Sequence, residues 1–223
     1  MPDGQYSFYL HSDDRTDIAA MATISTISQP LRGEFIRTAA TAGAVVYQVD
    51  ARLPALIPVF FAGQLSAVRL CAVMALVSGT WSSLTGLPDE PENGEAALPV
   101  SPETEYQRRR YTLTLQDDRS SERVERVLTG VSSRLRGELL RNLIITGLAL
   151  HTTAPELPRL LASMPVPPTS VSELQALVQQ MAGTADVNRA AAAVPDTPAA
   201  SAAPVSGADT REIKKNMRRA FGD

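Results

Sequence analysis

Two short stretches alternate apolar and polar side chains, and their polar members are hydrogen-bonding groups. The first offers Gln5, Ser7, Tyr9 and His11; the second offers Arg110, Thr112, Thr114 and Gln116. Hydroxyls, amides and a guanidinium on one strand face are the chemistry that touches base edges, and Arg110 carries the fork that meets guanine at two points. A polar face that meets only water would show the same alternation. A second set stands where helical stretches begin: Arg32-Gly33, and Ser133-Arg134 followed by Arg136-Gly137. A helix N-terminus presents unpaired N–H groups and partial positive charge, and glycine lets an anion come close. Arg32, Gly33, Ser133, Arg134, Arg136 and Gly137 are therefore candidate phosphate contacts. Glu34 and Glu138 offer the competing arrangement, an ion pair with the neighbouring arginines. A third set closes the chain, where Ile213, Met217 and Phe221 fall on one helical face with Lys214, Lys215, Arg218 and Arg219 around them.

Other chemistries find little support. Cys71 is the single cysteine, and His11 and His151 are the two histidines, far apart in the chain. That excludes an internal disulfide and a cysteine-based zinc site, and it gives little support to a histidine triad or metal centre. No paired carboxylates, nucleophile–base pair or phosphate loop stands out, so the chain reads as no enzyme and as needing no cofactor. The 223 residues suit one large domain or two small ones. Aromatics are 5%, so the core must come from Ala, Leu, Val and Ile. No basic segment followed by an apolar run opens the chain, and the apolar run Leu65–Ser78 is interrupted by Arg69 and too short to span a bilayer. The expectation is a reduced, soluble, cytoplasmic protein with no membrane partner.

Net charge is −3, but its distribution is uneven. Residues 105–164 hold ten arginines against seven acids, and residues 211–223 hold five basic against two acidic groups. Six acids and no base lie between Asp89 and Glu105. An acidic average is compatible with a local basic face.

The elements that must position these residues occur twice. Tyr6-Ser7-Phe8-Tyr9-Leu10-His11 stands beside Tyr111-Thr112-Leu113-Thr114-Leu115-Gln116, at a spacing of 105. Asp13-Asp14-Arg15, Leu31-Arg32-Gly33-Glu34, Arg37, Gly43 and Leu53-Pro54 recur 104 residues later. An ordered series at one spacing is a duplication. Each copy opens with a period-two strand, and an Asp-rich helix start follows, which is N-cap chemistry. The short first helix carries Ile18, Met21, Ile24 and Ile27, or Val124, Val127, Leu128 and Val131. A turn leads to a longer helix, about Leu31–Tyr47 and Leu135–His151. A third helical piece begins near Leu53 or Ala154, with Pro54 and Pro155 in first-turn positions.

One unit of this kind cannot bury its own faces, whereas two can pair their strands as an antiparallel ribbon with helices behind. The expected fold is mainly α with a short antiparallel β-ribbon: two tandem ribbon-helix-helix units in one chain, forming a pseudo-dimer or a swapped dimer. Expected boundaries are 1–80 for the first unit with an extra helix over Leu65–Val77, 81–105 for an acidic linker, and 106–183 for the second unit with a helix over Ser172–Met181. Residues 184–210, rich in Ala, Pro and Ser, read as a disordered tether, and 211–223 as an amphipathic partner-binding helix. Gly43 and Gly147 fall mid-helix, where glycine costs about 1 kcal/mol against alanine, so a close helix crossing is expected there. Cys71 reads as a small buried hydrophobe and Trp81 as packed at the edge of the first unit.

The second copy, Arg109-Arg110-Tyr111-Thr112-Leu113-Thr114-Leu115, then Ser133-Arg134-Leu135-Arg136-Gly137-Glu138-Leu139-Leu140-Arg141, then Pro155-Glu156-Leu157-Pro158-Arg159-Leu160-Leu161, resembles the ParR (StbB-type) plasmid-partition adaptors. The resemblance covers residues 109–164 well and 5–61 more weakly. It implies ribbon-helix-helix dimers that bind repeated centromere-like plasmid sites in double-stranded DNA and self-associate there. It also implies a C-terminal tail that engages a filament of an actin-like ParM-type ATPase. On that plan Gln5, Ser7, Tyr9, Arg110, Thr112, Thr114 and Gln116 would touch bases, and Ile213, Lys214, Met217, Arg218 and Phe221 would touch the partner. This chain departs from the family in fusing two units, the first of them less basic. A ribbon-helix-helix repressor or antitoxin, and a helical interaction module with no DNA role, are the alternative readings.

Overall fold

The computed structural model describes residues 4–80 and 107–192, with side chains to residue 183. The linker expected over 81–105, Trp81 and the segment 211–223 lie outside the described residues. The first copy runs β1 (Gln5–His11), α1 (Arg15–Ser25), a 3-10 turn (Gln29–Leu31), α2 (Arg32–Val49), α3 (Leu53–Phe60) and α4 (Ala67–Ser78). The second runs β2 (Arg108–Thr114), α5 (Arg119–Thr129), α6 (Arg136–Thr153), α7 (Leu157–Ser163) and α8 (Val171–Ala192).

The strands pair with each other, antiparallel, from Gln5 opposite Thr114 to His11 opposite Arg108. The pseudo-dimer is thus closed within one chain. Ser7 lies opposite Thr112, its own counterpart in the repeat, so the pseudo-dyad passes between these two residues. Alternation sorts the faces: Phe8, Leu10 and Leu113 are buried, and the Phe8 and Tyr111 rings stack at 5.3 Å.

Matching local devices shape both copies. Asp14 accepts the Asp17 N–H at 3.0 Å and Asp118 accepts the Ser121 N–H at 2.7 Å, each capping its helix. The Thr16 hydroxyl donates to the Pro58 carbonyl at 3.2 Å, and Ser120 to Ala162 at 3.0 Å, tying α1 to α3 and α5 to α7. Behind the ribbon, α2 and α6 cross at backbone contact. A Cβ on Gly43 would stand 2.6 Å from the Leu143 carbonyl carbon, and one on Gly147 would stand 2.6 Å from that of Ala39. Leu143 and Ala39 are themselves 104 apart, so this crossing also obeys the pseudo-dyad. One continuous core draws on both copies, with Val45, Val46, Leu140, Ile144 and Leu148 among its fully buried members.

Several expectations need correction. The long helices run two residues further than expected, to Val49 and Thr153. Ala154 closes α6 by donating to the Leu150 carbonyl, so the third helix of the second copy starts at Leu157, with Pro158 rather than Pro155 in its first turn. Ile27 and Val131 fall outside the short helices, and α1 buries Asp17, Ala19, Ala20 and Ile24. Residues 184–192, expected to begin a disordered tether, continue α8. The first proline there is Pro195, and the alanine-rich run before it has strong helix propensity. Cys71 is buried as expected, and burial pushes its thiol pKa up.

Candidate nucleic-acid interface

The outward face of the ribbon carries Gln5, Ser7, Tyr9 and His11 on β1 and Arg108, Arg110, Thr112 and Thr114 on β2. All four β2 positions are exposed, and no carboxylate stands among the eight. Arg110 leans toward the dyad, its Nε and Nη2 donating to Ser7 Oγ at 3.1 and 2.9 Å. The Arg108 guanidinium lies 3.6 Å over the Tyr9 ring, a cation–π contact that holds both groups on the face. Arg108, which in the sequence stands ahead of the alternating stretch, joins this face through its pairing with His11. Gln116, expected on this face, lies two residues beyond β2, where its N–H donates to Ser121 Oγ at 3.0 Å. Asp118 caps α5 there, and the chain has already turned toward that helix.

The N-termini of α2 and α6 begin at Leu31 and Leu135 with identical backbone angles and no side-chain cap. A Cβ on Gly33 would meet nothing within 4 Å, so that approach is open. Gly137 lies against the ribbon, 3.5 Å from the Ser7 carbonyl oxygen by the same measure. Ser133 and Arg134 are exposed beside it. A groove of about 800 Å³ separates the β1 side of the ribbon from this helix start, lined by Tyr9, His11, Arg108, Ser133, Arg134 and Gly137.

Arg32 and Arg136 are spent differently from the expectation. Arg32 turns back to donate to the Ile27 and Ser25 carbonyls at 2.8 and 3.3 Å. Arg136 donates to Leu128 and Val131 at 3.0 and 3.4 Å. Each guanidinium thereby satisfies carbonyls left over at the end of the preceding short helix. Each also faces the inner ribbon tyrosine of the other copy, Arg32 toward Tyr111 and Arg136 toward Tyr6, opposing the rise that burial imposes on those hydroxyl pKa values.

An acidic wall completes the groove with Asp13, Asp14, Asp17 and Glu138. Two of these acids hold Arg141, at 2.6 Å from Asp17 and 3.2 Å from Asp14. Asp17 is fully buried and also accepts the His11 N–H at 2.9 Å. Burial raises its carboxyl pKa, with the His11 amide and Arg141 pulling the other way. At the dyad-related place Ser121 replaces Asp17, and Arg37, the counterpart of Arg141, pairs with Glu34. This cross-copy ion pair has no local sequence signature, since its partners lie 124 residues apart.

Among the described residues no group of His, Cys, Asp or Glu is placed to hold a metal ion, and no helix is long and apolar enough to cross a membrane. No curated protein and no solved structure matches the chain. A family model, that of the plasmid stability protein, matches twice, over residues 4–74 and again over 109–178. The two matches coincide with the two copies of the repeat. Together they span well over half of the sequence, and the chain belongs to the plasmid stability protein family.

Proposed function

We propose that the chain serves plasmid maintenance as a sequence-specific adaptor for double-stranded DNA. The observation that carries this is the outward ribbon face: eight hydrogen-bonding side chains, two of them arginines and none a carboxylate, beside two helix starts that have no side-chain cap. A two-stranded ribbon of this width fits the major groove, where Arg108, Arg110, Gln5 and the hydroxyls of Ser7, Tyr9, Thr112 and Thr114 would meet base edges. The backbone N–H groups at Gly33 and Gly137, with Ser133 and Arg134, would hold the flanking phosphates. Arg32 and Arg136 would act there by fixing the helix starts.

The wider role follows the resemblance to the partition adaptors. Repeated centromere-like sites would gather several chains on a plasmid, and residues 211–223 would engage an actin-like ParM-type filament. On a helix, Ile213, Met217 and Phe221 would supply the apolar stripe for a partner groove, and Lys214 and Arg218 its charged margin.

The test is a footprint on DNA flanking the gene, with competitor DNA at about 150 mM salt, where non-specific binding is weak. Several evenly spaced protected repeats support the adaptor. A single short operator points to a repressor or antitoxin, and absence of protection leaves a protein-interaction module. Deleting residues 211–223 should leave the footprint unchanged and abolish capture of the filament; loss of the footprint would make the tail an electrostatic arm for DNA.

A further inference from the structure

We infer that the two ends of the ribbon read different sequences, so that each chain binds a non-palindromic site in one fixed orientation. This rests on the DNA-binding reading and adds to it the class of site. In a homodimer a dyad places the same residue at both ends of the ribbon, and the site mirrors that symmetry. Here the dyad passes between Ser7 and Thr112, and the positions it relates have diverged. Gln5 on one side answers to Arg110 on the other, and Thr114 answers to Tyr9.

Register then concentrates the difference. Tyr9 lies opposite Arg110 and His11 opposite Arg108, so both arginines and the aromatic ring stand at one end. Gln5 lies opposite Thr114 at the other end, which is neutral. The helix starts diverge in the same sense. Ser133 and Arg134 flank the arginine end across the groove, whereas the equivalent positions before α2 are Gln29 and Pro30.

The chemistry assigns the halves. Arginine pairs bidentately with guanine O6 and N7, whereas glutamine suits adenine and a threonine methyl suits the thymine methyl. The arginine end therefore takes a half-site containing guanine, and the Gln5–Thr114 end takes an A·T half-site. Arg110 is preorganised for this by its two hydrogen bonds to Ser7, and Arg108 by its seat on Tyr9.

Selection of the full chain against a random duplex pool at about 150 mM salt tests this. The expected consensus is non-palindromic, with guanine confined to one half. Arg110→Ala should then bind that site on the order of tenfold or more weakly and lose preference in the guanine half alone. Gln5→Ala should lose preference only in the other half. Both side chains are exposed, and unchanged thermal melting of the variants would exclude unfolding as the cause. A palindromic consensus, or an Arg110→Ala variant that flattens both halves equally, would overturn the inference while leaving DNA binding intact. No enrichment of any sequence would remove the DNA-reading function itself, and the inference with it.

Discussion

The crossing of α2 and α6 offers the most direct test of how the two copies are joined. Consider Gly147→Ala. The added Cβ would stand 2.6 Å from the Ala39 carbonyl carbon, where ordinary carbon contacts need about 3.5–4.0 Å. The obstacle is backbone, so no side-chain rotation relieves it, and the helices must part by roughly 1 Å at this point. Alanine gains about 1 kcal/mol over glycine in helix propensity. Against this, overpacking a close-packed core costs typically about 1–3 kcal/mol, and a gap of this size forfeits much of the dispersion between facing surfaces. The fully buried Val45, Val46, Leu143, Ile144 and Leu148 are distributed along both helices, so the loss spreads over the core. We expect a net destabilisation of up to about 2 kcal/mol, a fall in Tm of up to about 8 °C. Gly43→Ala should cost a similar amount, because the crossing is dyad-symmetric. The double variant should cost less than the two together, since the first separation already makes room for the second methyl. Gly33→Ala, which meets nothing within 4 Å, is the control and should hold or raise Tm. Differential scanning calorimetry on the four variants decides the matter. A Gly147→Ala protein as stable as Gly33→Ala would refute backbone contact between the copies.

The buried Asp17 gives a pH dependence whose sign is fixed by its raised pKa. The folded state holds the proton more tightly than the unfolded state, so stability rises as pH falls from neutral through the raised folded pKa, and levels off below the ordinary aspartate value. Asp17→Asn should therefore flatten this part of the Tm-against-pH profile; a wild-type profile that instead falls on acidification relative to Asp17→Asn would mean that Arg141 outweighs burial. Arg136→Ala strips a donor from the Leu128 and Val131 carbonyls and should lower stability by about 1 kcal/mol in thermal melts, whereas Arg134→Ala should leave melting unchanged. On the proposed interface, Arg134→Ala should weaken binding to all duplexes alike and reduce the salt slope by about one, and a slope equal to wild type would remove Arg134 from the phosphate contacts.

What the sequence revealed follows from which constraints are local. The ribbon was legible because Tyr6, Phe8 and Leu10 alternate with polar groups and the same grammar recurs at Tyr111, Leu113 and Leu115. The crossing was legible because glycine in mid-helix is costly without a packing reason, and two such glycines 104 residues apart share one. The tasks of Arg32 and Arg136 were not legible. An Arg-Gly pair at a helix start looks the same whether its guanidinium reaches outward or folds back onto the preceding carbonyls, and only the turn's path decides. Arg108 was missed because a run of arginines ahead of a strand resembles a flank, while pairing with His11 draws it into the ladder. The end of α8 was not legible in a composition rich in Ala, Pro and Ser, because alanine extends a helix until proline intervenes.

Fusion of the two copies explains a pattern that neither copy shows alone. Both short helices must satisfy one backbone donor at the end of a strand, the N–H of His11 or of Gln116. A hydroxyl suffices at Ser121. At the related place Asp17 brings a buried charge, which is costly to bury and is retained only with a partner. Arg141 is that partner, drawn from the other copy, and Arg37 is left to pair locally with Glu34. In a homodimer one residue would have to serve both places, and the asymmetry could not arise. The ion pair gives little net stability once desolvation is counted, but removing Arg141, which strands the buried Asp17 carboxylate, should cost about 3–5 kcal/mol at neutral pH, whereas removing Asp17 should cost less because Arg141 keeps Asp14. Its effect is therefore on register: it fixes α6 against α1 on the side of the groove where Tyr9, Arg108 and Arg134 stand. This cross-copy contact lies at the ribbon end that carries Tyr9, Arg108 and Arg110, the end assigned to guanine under the proposed reading.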